Sequence, residues 1–436
     1  MKHQKISIFW FRRDLRLNDN SGLYHALQSG SPVLPIFIFD TEILDTLPDK
    51  NDRRVEFIHR ELERLQKQLI SLGSSLIIRR GKPLEVWKKI IRDYRIDTVF
   101  ANRDYEPYAI SRDEQVKQLL KEQGTDFRLF KDQVIFERGE ILKSDGNPYV
   151  VFTPYKNRWL DTLNPGHLAS FPSEKLFVNF CPAPAASLPQ LPELGFDKTG
   201  FSFPSGEINT EIIKNYDKTR DFPAMDGTTR LGIHLRFGTI SIRRLVQIAW
   251  ELNRTFLSEL IWREFFMMIL YHFPHVVNRP FRERYSRIQW INDDEKFLRW
   301  CRGNTGYPLV DAGMRELNAT GFMHNRVRMV TASFMAKHLL IDWRRGEQYF
   351  ADKLLDFELS SNNGNWQWSA GCGCDAAPYF RIFNPTTQIR KFDPDLLYIR
   401  KWVPEHNNST YPSPIIDHKF ARERALAVYG VALKGK

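Results

Sequence analysis

The stretch VEFIHRELERLQKQLISL, residues 55–72, decides how the amino-terminal third is read. Val55, Ile58, Leu62, Leu65, Leu69 and Leu72 recur at steps of three and four, so a helix here carries a single apolar stripe. Short apolar runs flank it, at 6–11 and 33–39 before it and at 75–78, 98–101 and 127–130 after it. Brief runs rich in β-branched and aromatic residues, alternating with helical spacing, read as strands of a parallel sheet covered on both faces. The expectation is a doubly wound α/β lobe over residues 1–130. No G-x-G-x-x-G follows the first run, so the usual dinucleotide fingerprint is absent and the lobe makes no case for NAD.

Outward from this lobe the pattern breaks up. Pro182, Pro184, Pro189, Pro192 and Pro204 punctuate residues 131–205, which read as an extended interdomain linker. Helical spacing returns beyond Glu207, at 240–252, 259–271, 311–318 and 324–340, and predicts an all-α lobe over 206–436. A chain of 436 residues exceeds one ordinary core, which agrees with two lobes. No internal repeat, heptad array or low-complexity tract points to a solenoid or coiled coil.

The net charge of +11 favours a polyanionic partner, because lysine and arginine displace counterions from phosphate. Eleven Trp, 15 Tyr and 32 Phe interleave with arginines in the second half, a combination suited to stacking on unpaired bases and equally to an aromatic helical core. Without a long apolar run or a signal-peptide core, a soluble cytoplasmic protein with no membrane partner is expected. Cys181, Cys301, Cys372 and Cys374 lack zinc-like spacing and read as reduced structural thiols, and no metal is expected.

The most specific signal is NNGNWQWSAGCGCDAAPYFRIFNPTTQ at 362–388, followed by GFMHNRVRMVTASFMAKHLLIDWRRGEQYF at 321–350. With SELIWREFF at 258–266, DFPAMDGTTRLGIHLRFGTISIR at 221–243 and FWFRRDLRLNDN at 9–20, the chain resembles the class I cyclobutane pyrimidine dimer photolyases over nearly its whole length. The resemblance implies an α/β antenna lobe, a helical lobe holding folded FAD that works in its reduced form, FADH−, and damaged DNA containing pyrimidine dimers as substrate for a monomeric enzyme. A second antenna chromophore is open. Folate-binding relatives carry an Asn-Glu pair and a lysine where this chain has Tyr108-Ala109 and Val277.

Residue by residue, the resemblance assigns flavin contacts to Tyr216, Thr228, Thr229, Arg230, Leu231, Gly232, Phe256, Arg263, Asn325, Arg328, Asp356, Phe357, Glu358 and Asn362. Hydroxyls, amides and a cation at 228–231, ahead of a predicted helix, suit a diphosphate, although alone they also read as an ordinary helix cap. Gly232 stands where the family usually has a hydroxyl, Phe256 where some relatives have Trp, and Glu358 where they often have Asp. Asn325, Arg328 and Met329 share one helix face. Arg220, Glu259, Trp262, Arg263, Asn325, Met329 and Trp368 match DNA contacts, with Glu259 bonding the dimer and Trp262 and Trp368 walling it. Each stack contributes roughly 1–3 kcal/mol, enough to offset unstacking of an already damaged pair. Trp366, Trp343 and Trp290 match an electron relay, and Asn362 faces N5 of the flavin ring.

Four other readings remain in view. A cryptochrome-type photoreceptor shares fold and FAD but does not repair DNA. Enzymes for (6-4) photoproducts have histidines at Asn325 and Met329, and the DASH group usually has Tyr at Trp368. A plain basic nucleic-acid-binding module explains the charge but not the flavin-site residues.

Overall fold

The amino-terminal apolar runs form one parallel sheet. In the computed structural model, which describes residues 5–434, the strands β1 (Ile6–Phe11), β2 (Val33–Asp40), β3 (Ile77–Gly81), β4 (Ile96–Asn102) and β5 (Asp126–Phe130) lie in the order β3-β2-β1-β4-β5. Every neighbouring pair is parallel, and Ile8 sits opposite both Leu34 and Val99. β1 and β2 are buried at every position, as strands are when neither face meets water. β3 begins at Ile77 rather than 75 because Gln66 Oε1 already accepts the Leu76 N–H (2.7 Å).

Helices Pro83–Asp93 and Pro107–Glu122 bury Trp87, Ile90, Val116 and Leu120 against Trp10, Ile36, Ile38 and Val99. Trp10 and Trp87 meet edge to face at 5.4 Å, a favourable quadrupole geometry. Helix Ser21–Leu27 packs so close to the sheet that a Cβ on Gly22 would collide with Asn102 and Phe9. In helix Arg53–Ser71 the expected stripe holds at Val55, Leu62, Leu65 and Leu69. Ile58 is only half-buried and Leu72, the C-cap, is exposed; Phe57 is buried instead, ringed by Phe203, His234 and Phe237. Those partners lie far along the chain, beyond what a local stripe encodes.

Contacts group the chain into two compact units. One holds the residues up to Glu140 with Thr162–Ile208 and Arg230–Trp250; the other holds Ile141–Asp161, Asn209–Thr229 and the chain from Glu251 onward. Residues 131–205 are therefore shared between the units. The first is the α/β lobe and the second is all-helical. Among the described residues no helix is long and apolar enough to cross a membrane.

In the helical unit, Arg254–His272 is buried around most of its circumference, which explains its dense apolar composition. Helix Pro308–Thr320 starts on proline and stops at Gly321, whose φ of +66° and contact with Leu355 favour glycine. The helix expected over 324–340 divides: Asn325–Ser333 is α, and Phe334–His338 widens into a π turn in which Leu339 N–H reaches Phe334 O (3.1 Å).

Inside the first unit, Asp132 accepts from Arg16 (2.7 Å), Arg243 (2.9 Å) and the Ser21 N–H (3.1 Å), with almost no exposed surface. Burial raises the cost of this carboxylate, yet the two guanidiniums hold its pKa below the usual range. Removing one partner from a buried pair leaves the other charges uncompensated. Asp132→Ala is expected to destabilise the protein by about 3–5 kcal/mol in urea unfolding.

Candidate active site

Helix Leu359–Ala370 buries Ser360, Asn362, Asn363, Gln367 and Ser369, an unusually polar set for an interior helix. Each buried polar group needs a partner. Asn363 and Gln367 both donate to Val276 O at 3.0 Å, and Gln367 Oε1 accepts the Phe281 N–H (2.8 Å). The helix is thereby locked in rotation. Gly364 lets it approach Phe266, and Gly346 of helix Trp343–Lys353 lets that helix approach the Trp366 ring; a Cβ at either position would clash.

A cavity of about 80 Å³ opens beside this helix. Its lining brings together Asn325, Arg328, Met329, Asp356, Phe357, Glu358, Asn362 and Trp366, all singled out by sequence, with Phe350, Leu354 and Ser361. Arg328 donates to Asp356 at 3.0 and 3.2 Å and to Met323 O at 2.7 Å. Arg263 pairs with Glu358 at 3.2 Å, both mostly buried. His324 caps helix Asn325–Ser333 through Nδ1, which accepts the Arg326 N–H (3.2 Å). Burial, reinforced by Arg328 and Arg326, lowers its pKa to about 4, so the ring stays neutral and the cap intact near pH 7.

Asn362 donates its amide protons to Glu347, to the backbone carbonyl at 3.0 Å and to Oε1 at 2.8 Å. That leaves Oδ1 for a partner in the cavity. Burial pushes the Glu347 carboxyl up to about 7, against the Asn362 hydrogen bond, which favours the anion. Sequence reading missed Glu347; its i+4 relation to Trp343 in a quoted motif was the available signal.

A second cluster joins Tyr216, Phe256, Arg220 and Glu259. Tyr216 meets Phe256 edge on at 5.1 Å, Arg220 lies 5.2 Å over Tyr216, and Arg220 pairs with Glu259. Burial raises the Glu259 carboxyl and Arg220 pulls it part of the way back. Trp262 and Trp368 are half-buried and outside the cavity lining. Among the described residues no ring contact joins them; Trp262 stacks instead on Phe152.

Thr228 and Thr229 are half-buried in the helical unit, beside Gly227, where a Cβ would strike Thr219. Arg230, Leu231 and Gly232 belong to the sheet-bearing unit. Arg230 has φ of +52°, and the helix that follows, Gly232–Arg236, is short, which limits the dipole expected there. Of the three tryptophans expected to form a relay, Trp366 and Trp343 are buried in one core and Trp290 packs against it, edge on to Tyr429 at 6.1 Å. The ring neighbours of Trp366 are Phe350 at 5.0 Å and Trp300 at 6.1 Å, neither anticipated.

In the sheet-bearing unit, a cavity of about 160 Å³ sits at the carboxyl ends of the strands, lined by Trp10, Arg12, Asp40, Asp104, Tyr108 and Arg112 among others. It lies where the strand order reverses, the usual ligand position of such sheets. Tyr108 donates to Asp40 at 2.6 Å.

Comparison with known proteins agrees with this geometry. The profile of the FAD binding domain of DNA photolyase matches residues 256–410, and that of DNA photolyase matches 7–175. The chain is 38% identical over 470 aligned residues to the deoxyribodipyrimidine photo-lyase of Vibrio cholerae, covering 98% of this chain and 100% of that protein. Its fold is similar to a class III photolyase of Agrobacterium tumefaciens (TM-score 0.87, 34% identity, 100% and 99% covered). It is also similar to an archaeal photolyase of Sulfolobus tokodaii that contains two FAD molecules (TM-score 0.81, 32% identity, 98% and 99% covered). A sheet lobe and a helical FAD-binding lobe define a two-lobed flavoprotein. The chain belongs to the photolyase/cryptochrome family.

The cavity fits a flavin edge: apolar walls, an amide, paired ions, and the Trp366 Nε1, a buried donor with no partner among the described residues, which a bound acceptor would satisfy. A carboxyl with a folded pKa above its unfolded value of 4.5 keeps its proton longer in the native state, so stability falls as pH rises from 4.5 to about 7. Glu347→Gln, which still accepts from Asn362, is expected to flatten the thermal-melting profile across that window.

Proposed function

We propose that the protein repairs cyclobutane pyrimidine dimers in DNA under blue or near-UV light. The observation that carries this reading is the convergence of Asn325, Arg328, Met329, Asp356, Glu358, Asn362 and Trp366 on one cavity within a matched FAD-binding domain. FAD held there as the reduced anion would supply light-driven one-electron chemistry toward the dimer, lent and returned with no net redox change.

The protein's own groups bind, orient and tune. Arg328 with Asp356 and Arg263 with Glu358 hold charge in pairs, so a flavin meets fixed dipoles rather than bare ions. Asn362, anchored by Glu347, would offer the flavin an uncharged amide that adds no anion beside a reduced ring. Tyr216, Thr228, Thr229 and Phe256 are the helical unit's further cofactor contacts in this reading; the family resemblance assigns Arg230, Leu231 and Gly232 the same role. Glu259, held by Arg220, bonds the flipped-out pair; Trp262 and Trp368 stack on it, and Asn325 and Met329 border it. Trp366, Trp343 and Trp290, which belong to or pack against one core, would serve as the relay that carries electrons toward the flavin. A second chromophore occupies the cavity beside Tyr108 and Arg112, a reading that the two-FAD Sulfolobus structure supports in kind.

The decisive experiment counts thymine dimers in an irradiated oligonucleotide after incubation with reduced protein in light and in darkness. Loss in light alone is expected; a yellow protein that removes none would favour the cryptochrome-type sensor. Affinity for the dimer should fall with salt, and fall again by roughly 1–3 kcal/mol when Trp262 or Trp368 becomes alanine. Trp366→Phe should block photoreduction of oxidised FAD, followed by its absorbance, while chemically reduced protein still repairs. Asn362→Asp should lower the flavin reduction potential through like-charge repulsion.

A further inference from the structure

We propose that Phe152 is a positioning residue for substrate recognition, holding the Trp262 indole in the plane against which a flipped-out pyrimidine pair stacks. The inference rests on the reading of Trp262 as a pocket wall.

Phe152 and Trp262 lie face to face, ring centroids 3.7 Å apart and planes 9° from parallel. Phe265 meets the same indole edge on at 5.6 Å, and Phe266 lies at 5.3 Å, tilted by 30°. Phe152 is itself pinned. Its N–H donates to Asp375 Oδ2 (3.0 Å), in the loop that follows the helix bearing Trp368. From the same helix, Phe152–Thr162, Tyr155 Oη (3.2 Å) and Trp159 Nε1 (2.6 Å) donate to Glu264 Oε1. Glu264 is buried and stands two residues beyond Trp262 on helix Arg254–His272. One helix is thus fastened to the helix bearing Trp262 and to the loop after the helix bearing Trp368, and its first ring presses flat on Trp262. Phe152 is 6% exposed and offers DNA no surface, whereas Trp262 is half-exposed, so any effect on recognition passes through the indole. A ring already held in its bound orientation loses less freedom on packing, which favours the exposed, unpaired faces of a flipped dimer over bases that stay stacked in an intact duplex.

The test measures dark binding of a fluorescein-labelled oligonucleotide with one thymine dimer, and of its undamaged counterpart, to the FAD-loaded protein. Phe152→Leu is expected to weaken dimer binding roughly 3- to 10-fold while binding of undamaged DNA and flavin content stay at wild type. Phe152→Tyr, which keeps the ring, should retain wild-type affinity. In a Trp262→Ala background Phe152→Leu should have no further effect, the signature of a residue acting through the indole. Wild-type discrimination in Phe152→Leu, or additive losses in the double variant, would overturn the proposal. Equal weakening toward both DNAs with loss of flavin would do the same, marking a plain packing residue. Unchanged discrimination in Trp262→Ala alone would instead remove the pocket reading beneath it.

Discussion

The hydrogen bonds that hold helix Leu359–Ala370 in the interior are the constraint on which the rest of the helical unit depends. A helix that buries Asn362, Asn363, Gln367 and Ser369 draws its apolar transfer chiefly from one side, through Trp366. Its position is set by partners. Gln367 alone bonds Val276 O, Arg279 O (3.3 Å), Asn363 Oδ1 (3.0 Å) and the Phe281 N–H. An unmade buried hydrogen bond costs about 1–3 kcal/mol, so rotation or sliding by one residue would expose several such losses together. The outcome is one permitted orientation, with Asn362 and Trp366, four residues apart, on the cavity side.

Glycine and charge pairing then fit the surroundings to that helix. Gly364 and Gly346 admit Phe266 and Trp366 at distances no other residue allows, bringing the aromatic core up to the cavity wall. The cations near the cavity, Arg328 and Arg263, each meet a carboxylate. Stability and the proposed cofactor and substrate sites thus share the same few helices, and Glu264 and Glu347 extend them into the layers behind.

How much of this could be read from sequence depended on the range of each interaction. The sheet lobe was legible because strand and helix periods are local, and four of the stripe residues in Arg53–Ser71 are buried as expected. Phe57 was missed because its partners lie beyond residue 200. The residues lining the cavity beside helix Leu359–Ala370 came from motifs, not periodicity: Asn362 and Glu358 have no spacing that marks them. Glu347, Trp300 and Phe152 escaped notice for the same physical reason as Phe57. Each matters through a pairing with a residue on another element, and such a pairing leaves no repeat along the chain. The π turn at Phe334–His338 and the shortness of Gly232–Arg236 were likewise invisible to a helical period.

The most direct test of the account replaces Gln367 by methionine, similar in size but unable to bond Val276, Arg279 and Phe281, and measures the ratio of FAD to protein after purification. The account predicts a folded protein whose flavin content falls several-fold, because the cavity wall loses its fixed orientation. A Gln367→Met protein that retains FAD at wild-type stoichiometry would contradict it.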